Sequence, residues 1–389
     1  MGVAPSIPGA TFVDLTKVEG EIPGIGKEEK LLLVCNRAKR AYFLQNRLRY
    51  YGYTNTAVLE GATAFQQVRV PGAELELSAE EVARVKALGF LQDKTRPGIF
   101  NGRVITVNGK ITAEQSKAIA EAAERFGSGE ITMTSRLTIE IQGVPYENIN
   151  PLREELEKSG LETGGTGSKV RPVVSCKGTT CQYGLIDTFH LSEEIHRRFY
   201  EGYGQVKLPH KFKIAVGGCP NNCVKPDLND LGIVGQMIPG IDLDQCKGCK
   251  KCQVESACPM GVANVVDGKI AIDEAGCNNC GRCLKACPFG ALLPQARGYR
   301  IYIGGRWGKK IAQGRPLDKV FASEEEVLQV VEKAILLFRE QGRTGERFAD
   351  TLARLGFENV QAQLLAQDLL ARKQENLAAQ KHVKGGATC

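Results

Sequence analysis

The chain has 389 residues, of which 42% are hydrophobic, so we expect two or three domains with buried cores and exclude wholesale disorder. Lysine and arginine exceed aspartate and glutamate by 51 to 44, a net charge of +7 that by itself would suit nucleic acid or a membrane surface. No apolar run is long enough for a membrane-spanning helix and no secretory signal is visible, so we predict a cytoplasmic protein without membrane insertion.

The 14 cysteines are concentrated in one part of the chain. Twelve of them lie between Cys176 and Cys287, and only Cys35 and Cys389 lie outside this stretch. A disulfide framework would not leave most of a long chain without cysteine. Metal binding in a reducing compartment is therefore the favoured interpretation.

The first predicted elements belong to a small N-terminal segment, residues 1–75. A buried strand over Leu31–Val34 leads through Cys35 into a helix that ends near Tyr51, and a second strand follows over Thr56–Leu59. This succession resembles the catalytic-loop region of a rhodanese, although the segment is shorter than a complete rhodanese. The resemblance implies a truncated α/β unit.

Cys35 is predicted to lie between a strand end and a helix N-terminus, with Arg37, Lys39 and Arg40 beside it. Positive charge and a helix N-terminus lower the pKa of a thiol. Cys35 is therefore a candidate persulfide site that would exchange sulfane sulfur with another site. Ala38 stands where rhodaneses usually have glycine, so an inert rhodanese-like fragment is the alternative, and the sequence leaves both open.

A short linking helix within residues 76–96 precedes a β-α-β pattern. The first strand, Asn101–Val107, ends in an Asn108-Gly109 turn, and Thr112 with Gln115 forms a capping box at the start of the helix. One face of this helix is expected to be buried, namely Ile119, Ala122, Ala123 and Phe126.

The next strand is predicted over Ile131–Gln142, where apolar and polar residues alternate strictly. Its polar face carries Arg136 among threonines, and on pattern alone that face would meet water. A later alternating strand, Lys211–Val216, carries Lys211 and Lys213 on one face, which is typical of a solvated sheet edge.

Two cysteine pairs flank that later strand. Cys176 and Cys181 form a C-x4-C pair, and Cys219 and Cys223 form a C-x3-C pair. Four thiolates suit either structural zinc or one iron–sulfur cluster, and the spacing alone leaves both open.

The strongest motif is a repeat of two cysteine runs, C-x2-C-x2-C-x5-C-P and C-x2-C-x2-C-x3-C-P. Three closely spaced cysteines can hold three corners of a four-iron cube, while the fourth cysteine of each run reaches the other cube. Zinc sites favour cysteine pairs rather than triplets. The segment resembles a bacterial two-cluster ferredoxin, with one [4Fe–4S] cluster predicted on Cys246, Cys249, Cys252 and Cys287, and a second on Cys277, Cys280, Cys283 and Cys258.

The C-terminal part begins with a strand predicted over Arg300–Gly308. Ser323 and Glu326 form a second capping box before an amphipathic helix, and the tail from Lys373 is polar.

The residues around the second cysteine pair resemble the siroheme signature of nitrite and sulfite reductases. The stretch Gly218–Cys223, with the sequence GCPNNC, is followed after six residues by Asp230–Ile233, and Gly217 stands where the signature prefers Ser, Thr or Val. Within that family the stretch from Cys176 to Gly232 is most similar to the C subunits of anaerobic sulfite reductases, in which a two-cluster ferredoxin is likewise inserted.

The resemblance implies three groups of site residues. A third [4Fe–4S] cluster would be held by the paired cysteines, the last of which would also ligate the siroheme iron: Cys176, Cys181, Cys219 and Cys223. The open face of siroheme, where a small anion binds, would be surrounded by four cations: Arg103, Arg136, Lys211 and Lys213. Further contacts to the cofactor would come from Arg171, Thr179, Thr180, Asn221 and Asn222.

The implied activity is the siroheme-dependent, six-electron reduction of sulfite to sulfide, with electrons relayed through the ferredoxin-type clusters. Nitrite reduction to ammonia at the same site is an alternative, as is an electron-transfer or sulfur-trafficking protein that uses Cys35. Because the chain lacks a dinucleotide-binding or Walker glycine motif, the electron donor is expected to be a separate ferredoxin or flavoprotein subunit.

Only one copy of the half-domain pattern is present, whereas the assimilatory relatives carry two. We therefore expect a homodimer or a partner chain to complete the site. Anionic clusters and siroheme would offset the positive charge of the chain, so no nucleic-acid partner is expected.

The predicted fold class is α+β. The predicted divisions are a truncated rhodanese-like segment at 1–75, a linker helix at 76–96, a ferredoxin-like half-domain at 97–165, a siroheme and [4Fe–4S] domain at 166–240 and 294–372, a two-cluster ferredoxin insert at 241–293, and a polar tail at 373–389.

Overall fold

The computed structural model describes residues 22, 24–34, 39–59 and 77–382. It divides the chain into two compact units, Met1–Glu76 and Leu77–Cys389. Within the described residues, no helix combines the length and the apolar character needed to cross a bilayer.

The first unit contains one parallel pair of strands joined by a helix. The elements are β1 (Leu31–Val34), α1 (Lys39–Tyr50) and β2 (Thr56–Leu59). Leu44, Leu48 and Tyr53 form its small core, and the Tyr53 hydroxyl accepts a hydrogen bond from the backbone N–H of Ile22 at 2.8 Å. The candidate persulfide residue Cys35 lies outside the described residues, so that hypothesis stays a prediction.

The second unit begins with a four-stranded antiparallel sheet in the order β3-β4-β6-β5. Three helices and the sheet share one core, in which Phe90, Phe100 and Leu152 are fully buried. The elements in chain order are α2 (Ala79–Ala87), β3 (Phe90–Gln92), β4 (Ile99–Val104), α3 (Ala113–Phe126), β5 (Ile131–Met133), β6 (Ile139–Pro145) and α4 (Ile149–Glu157).

The predicted turn and cap at the start of α3 are confirmed. Asn108 and Gly109 both have positive φ, 53° and 81°, as a type I′ turn requires, and Lys110 N–H donates to the Val107 carbonyl at 3.1 Å. The Thr112 side chain and the N3 side chain of Gln115 form a reciprocal capping box. Strand β4 ends at Val104, three residues before the predicted end.

The prediction of one continuous strand over Ile131–Gln142 is wrong. The segment is a hairpin of β5 and β6, reversed at Leu137, whose φ is 61°, with Thr134 N–H donating to the Thr138 carbonyl at 2.9 Å. Ile131 lies directly opposite Ile141 in the hairpin, so both strands keep one apolar side. A period of two residues continues through such a reversal, and alternation therefore could not reveal it.

The rest of the second unit is built around a five-stranded mixed sheet in the order β13-β12-β9-β8-β7. Strands β7, β8 and β9 are parallel, and β12 runs antiparallel to both β9 and β13. Its elements in chain order are β7 (Val174–Ser175), α5 (Thr188–Ile195), β8 (Ile214–Gly217), β9 (Leu231–Ile241), α6 (Gln253–Ala257), β10 (Ala263–Val266), β11 (Lys269–Ile272), β12 (Leu292–Ile303), β13 (Arg315–Phe321), α7 (Glu324–Gln341), α8 (Phe348–Leu355), α9 (Phe357–Leu365), α10 (Asp368–Ala371) and α11 (Lys373–Ala378).

Helix α7 covers this sheet, and its apolar residues are buried, as the amphipathic pattern predicts. Ser323 Oγ accepts from the Glu326 N–H at 3.3 Å, but the Glu326 carboxylate accepts from Ala322 rather than from the cap residue. The strand predicted to begin at Arg300 begins eight residues earlier, in β12, because it pairs with the whole length of β9.

The cysteine-rich segment between β9 and β12 has a small core of its own. Val254, Ala263, Ile270 and Ala291 are buried, and β10 and β11 form an antiparallel hairpin beside them. Both ends of the segment are held together, because Asp242 N–H donates to the Ala291 carbonyl at 2.9 Å. The fold as a whole is α+β, as predicted.

Candidate iron–sulfur and anion-binding site

Parallel strands bring the two cysteine pairs to the same sheet edge. Cys176 directly follows β7, and Cys219 lies two residues after β8, so both loops start at the carboxyl ends of neighbouring strands. The Gly218 N–H donates to Cys176 Sγ at 3.1 Å. The loops also pack backbone against backbone, since a Cβ added at Gly218 would lie 2.8 Å from Gly178 Cα.

The four thiols lie within electrostatic reach of one another. Burial, and then the neighbouring thiols of Cys176, Cys223 and Cys181, raise the pKa of Cys219, although an N–H from Asn221 opposes the shift. The structure therefore brings together the four cysteines that the sequence analysis assigned to one cluster. Among the described residues, no three His, Cys, Asp or Glu side chains converge on a position for a single metal ion.

A second group of four cysteines lines one mostly apolar cavity in the inserted segment. Its members are Cys258, Cys277, Cys280 and Cys283, with Pro239 on the wall. Burial, followed by the thiols of Cys277, Cys280 and Cys258, raises the pKa of Cys283 to about 11. Cys258 thus joins the three cysteines of the other run, which is the crossed arrangement that the spacing predicts.

Backbone amides donate to two thiols of the first run, Cys246 and Cys258. Cys246 Sγ accepts from the Ile270 N–H at 3.4 Å, and hydrogen bonds from Gly248 and Ile270 hold the pKa of this thiol below its usual value, with Lys269 and Lys247 adding to the effect. At Cys258 burial opposes the shift, but four backbone amides still lower the pKa of the thiol. Amides that stabilise thiolates suit cluster ligands.

The inserted segment is hydrogen-bonded to the five-stranded sheet at Met237. The Met237 N–H in β9 donates to the Asn279 carbonyl at 2.7 Å, and Met237 forms a β-bridge with Cys280. Two residues before Met237, a Cβ added at Gly235 would lie 2.5 Å from the Gly218 carbonyl oxygen. The Cys280 run and the Cys219 loop therefore contact the same strand a few residues apart.

A half-buried group of cations lies where the two sheets meet. Arg136, in the hairpin turn, donates to Asn229 Oδ1 at 3.0 Å and to the Pro172 carbonyl at 2.9 Å. Burial, followed by the positive charge of Arg171, lowers the pKa of Arg136 to about 10, so its guanidinium stays charged at neutral pH. Arg103 and Arg347 contribute in the same direction, while Asp230 opposes them.

Lys213 belongs to the same group. Burial, followed by repulsion from Arg136, Lys211 and Arg347, lowers the pKa of Lys213 to about 8. The backbone N–H of Lys213 donates to Asp230 Oδ2 at 2.9 Å, which fixes the chain at the start of β8. The two lysines are therefore part of a half-buried cationic cluster and not of a solvated sheet edge.

Two of the predicted arginines are already engaged within the protein. Arg103 forms an ion pair with Glu140 at 2.7 Å and donates to the Gly165 carbonyl at 3.2 Å. Arg171 also donates to the Gly165 carbonyl. Both add positive charge to the cluster, but the Arg103 charge is largely balanced by its carboxylate.

The remaining predicted cofactor contacts shape the two cysteine loops. Thr179 Oγ1 donates to Asp187 at 2.7 Å, Thr180 Oγ1 donates to the Lys177 carbonyl, and the Asn222 amide donates to Asp227 at 2.7 Å. Asn222 has φ of 57°, a left-handed conformation that asparagine tolerates. Its place in the turn between the two cysteines is thus explained by backbone geometry.

Sequence reasoning missed Arg347, Asp230 and His210. Arg347 precedes α8 and binds both carboxylate oxygens of the fully buried Asp230, at 2.9 and 3.0 Å. Burial, followed by Arg347, Lys211 and Arg171, lowers the pKa of His210 to about 4, so His210 is neutral. Arg347 lies far along the chain from every motif, so no sequence pattern pointed to its role.

Replacing Arg347 with methionine is expected to lower the free energy of unfolding by about 3–5 kcal/mol, because Asp230 would remain buried without its partner. Lys117→Met is the matched control, since Lys117 and its partner Glu121 are both exposed and such pairs contribute less than about 1 kcal/mol. Denaturant unfolding followed by circular dichroism measures both. Equal stability of the two variants would contradict the assignment.

The fold and the site together define a class of protein in which cysteines grouped as for iron–sulfur clusters share one unit with a cluster of cations. A sequence profile described as the nitrite and sulphite reductase 4Fe-4S domain matches residues 166–372, and one for the ferredoxin-like half domain of the same enzymes matches residues 92–159. The first match covers more than half of the chain, so the chain belongs to the nitrite and sulfite reductase family.

Individual relatives agree with this placement. The coenzyme F420-dependent sulfite reductase of Methanocaldococcus jannaschii is 29% identical over 275 residues, which cover 69% of this chain but 41% of that protein. The C subunit of the anaerobic sulfite reductase of Salmonella typhimurium is 30% identical over 274 residues, covering 64% of this chain and 74% of that relative. A crystal structure of dissimilatory sulfite reductase I shares the fold, with a TM-score of 0.57, 24% identity and 69% of each chain covered.

Proposed function

We propose that this chain carries the catalytic site of a sulfite reductase that converts sulfite to sulfide with six electrons. The observation that carries the proposal is the convergence of Arg136, Lys211 and Lys213, from both sheets of the second unit, into one cationic cluster. The sulfite reductases among the relatives support the choice of substrate.

The residues present fit the cofactors that the family implies. Siroheme is a polyanion, and a cluster of six cations that includes Arg136 and Lys213, two of its members being paired with carboxylates, offers the charge to hold it together with an anionic substrate. Cys176, Cys181 and Cys219 would hold a [4Fe–4S] cluster with Cys223, whose thiolate would also ligate the siroheme iron. When bound, these groups would pass electrons from the donor to the anion.

The side chains of the chain itself bind the anion and manage protons. Arg136 and the two lysines would hold the oxyanion by charge-assisted hydrogen bonds and stabilise charge that develops on its oxygens. With a pKa of about 8, Lys213 Nζ carries a proton at neutral pH and releases it readily to a departing oxygen.

Electrons would arrive through the inserted segment, whose eight cysteines fit two further [4Fe–4S] clusters in the predicted crossed arrangement. The donor would be a ferredoxin or flavoprotein, and a homodimer or a partner chain would complete the site.

The test is anaerobic purification followed by iron analysis, a visible spectrum and reduction assays with reduced methyl viologen. The proposal expects about thirteen irons per chain, a siroheme absorption band, and turnover of sulfite. Full siroheme loading without sulfite turnover would contradict it. Turnover of nitrite but not sulfite would select the nitrite reductase of the same family instead.

The rate of anion reduction should fall as the pH rises through about 8. The positive charge of Lys213 is present below its pKa and is lost above it, so kcat/KM should decline on the alkaline side. In Lys213→Arg the charge persists at alkaline pH, and the ratio of variant to wild-type kcat/KM should rise with pH. The ionisation of sulfite affects both enzymes equally and drops out of this ratio. A ratio that does not change with pH would show that Lys213 does not cause the alkaline decline.

A further inference from the structure

The contact at Met237 gives the inserted segment a near end and a far end relative to the Cys219 loop. The Cys280 run is attached to β9 at Met237, whereas the Cys246 run begins beyond Ile241, the last residue of that strand. At about 3.4 Å per residue, Ile241 lies about 20 Å along β9 from Gly235, which packs on the Cys219 loop. The Cys246 run is therefore the far end.

Three exposed lysines are interleaved with the cysteines of this far end. Lys247, Lys250 and Lys251 have no hydrogen-bond or ion-pair partner within the part of the chain that the structure describes. Exposed lysines without ion-pair partners present positive charge to a binding protein, although Lys247 also acts on the neighbouring Cys246 thiol. The acidic residues in the same run, Asp244 and Glu255, do not pair with them.

Exposed apolar side chains border the lysines. Leu243 is 53% exposed, and Lys269 Nζ binds the carbonyls of Leu243 and Cys246 at 2.9 and 2.8 Å, which holds the two next to each other. Phe289 is 47% exposed and lies in the turn two residues before Ala291, the hydrogen-bond partner of Asp242. An apolar patch with a charged rim is the usual composition of a protein docking surface.

We infer that a small acidic electron-carrier protein docks on this lysine surface, defined by Leu243, Lys247, Lys250, Lys251 and Phe289. Electrons enter at the Cys246 run and leave the insert through the Cys280 run. In each encounter the reduced carrier would lose one electron to the [4Fe–4S] group that the Cys246 run would help to hold. The use of these electrons to reduce sulfite rests on the proposed function, whereas the docking of the carrier does not.

The test compares two charge reversals of the same size in the anaerobically purified full chain. Lys250→Glu with Lys251→Glu changes two adjacent exposed lysines on the proposed surface. Lys309→Glu with Lys310→Glu changes two adjacent exposed lysines elsewhere and serves as the control. Calorimetric titration with an oxidised, acidic two-cluster ferredoxin measures binding, and reduction by the same ferredoxin measures electron entry.

The first variant is expected to raise the Kd for the ferredoxin about tenfold or more and to flatten its dependence on salt, whereas the control stays within about twofold of wild type. Rates with methyl viologen should be unchanged in both. Unchanged binding in the first variant, or equal loss in the control, overturns the inference. If the first variant loses iron, Lys247→Gln with Lys250→Gln and Lys251→Gln replaces it, with the same expectation. Ferredoxin binding without sulfite turnover would reject the proposed function and leave the docking surface in place.

Discussion

Lys213→Met is expected to lower the kcat of anion reduction by about 100- to 10,000-fold while leaving the iron content unchanged. Methionine keeps the length of the side chain but removes both the positive charge and the transferable proton. The effect should be large because the pKa of Lys213, about 8, lies near neutral pH, where a proton donor is most effective. The arginines around it retain their protons and can stabilise charge, but they cannot donate a proton.

The control is Lys207→Met, because Lys207 is exposed and lies in the loop before β8. Steady-state assays with methyl viologen, together with iron analysis of each variant, separate a chemical defect from loss of the clusters. A Lys213→Met variant with a raised KM but an unchanged kcat would limit Lys213 to binding the anion. If the Lys213 variant were as active as the Lys207 variant, Lys213 would have no role in the reaction.

Cys219→Ser should abolish turnover and lower the iron content from about thirteen to about eight per chain, with loss of the siroheme band. Serine is a poor ligand for a cluster, and Cys219 is half-buried beside three other thiols that would hold the same cluster. Because the predicted cluster and siroheme share one thiolate, loss of the cluster should remove both. The two clusters of the inserted segment should remain.

Cys280→Ser is the matched control, since it removes a thiol from the other cavity. It should lower the iron content by about four while the siroheme band persists. Electron paramagnetic resonance of the reduced proteins can identify which cluster is missing. A Cys219→Ser protein that keeps its siroheme band would contradict the proposed assignment of ligands.

The grouping of the cysteines was accessible from the sequence because cluster ligands follow short spacings. Cys258 is an example, since the rule that the fourth cysteine crosses to the other run places it with Cys283, and it lies in that cavity. The cap at Thr112 and the turn at Asn108 were equally accessible, because a few neighbouring residues determine each of them. The family placement rested on the same kind of local pattern and is confirmed.

Features that depend on distant contacts were not predictable in this way. Alternation suggested one strand through Arg136, but the chain reverses there, and the reversal carries this side chain to Asn229. The pattern around Lys213 suggested a solvated edge, whereas Arg136 and Arg347 face it from other elements. Arg347 belongs to no motif, and its role is visible only in the structure, where it pairs with the buried Asp230.

By itself, the sequence determined the candidate ligand sets, the local caps and turns, and the family. Only the tertiary structure decided which cations lie in one cluster, which of them are already paired, and which cysteine run lies next to the Cys219 loop. The physical reason is range: ligand spacing and capping act over a few residues, whereas burial and electrostatic repulsion depend on side chains brought together from across the chain.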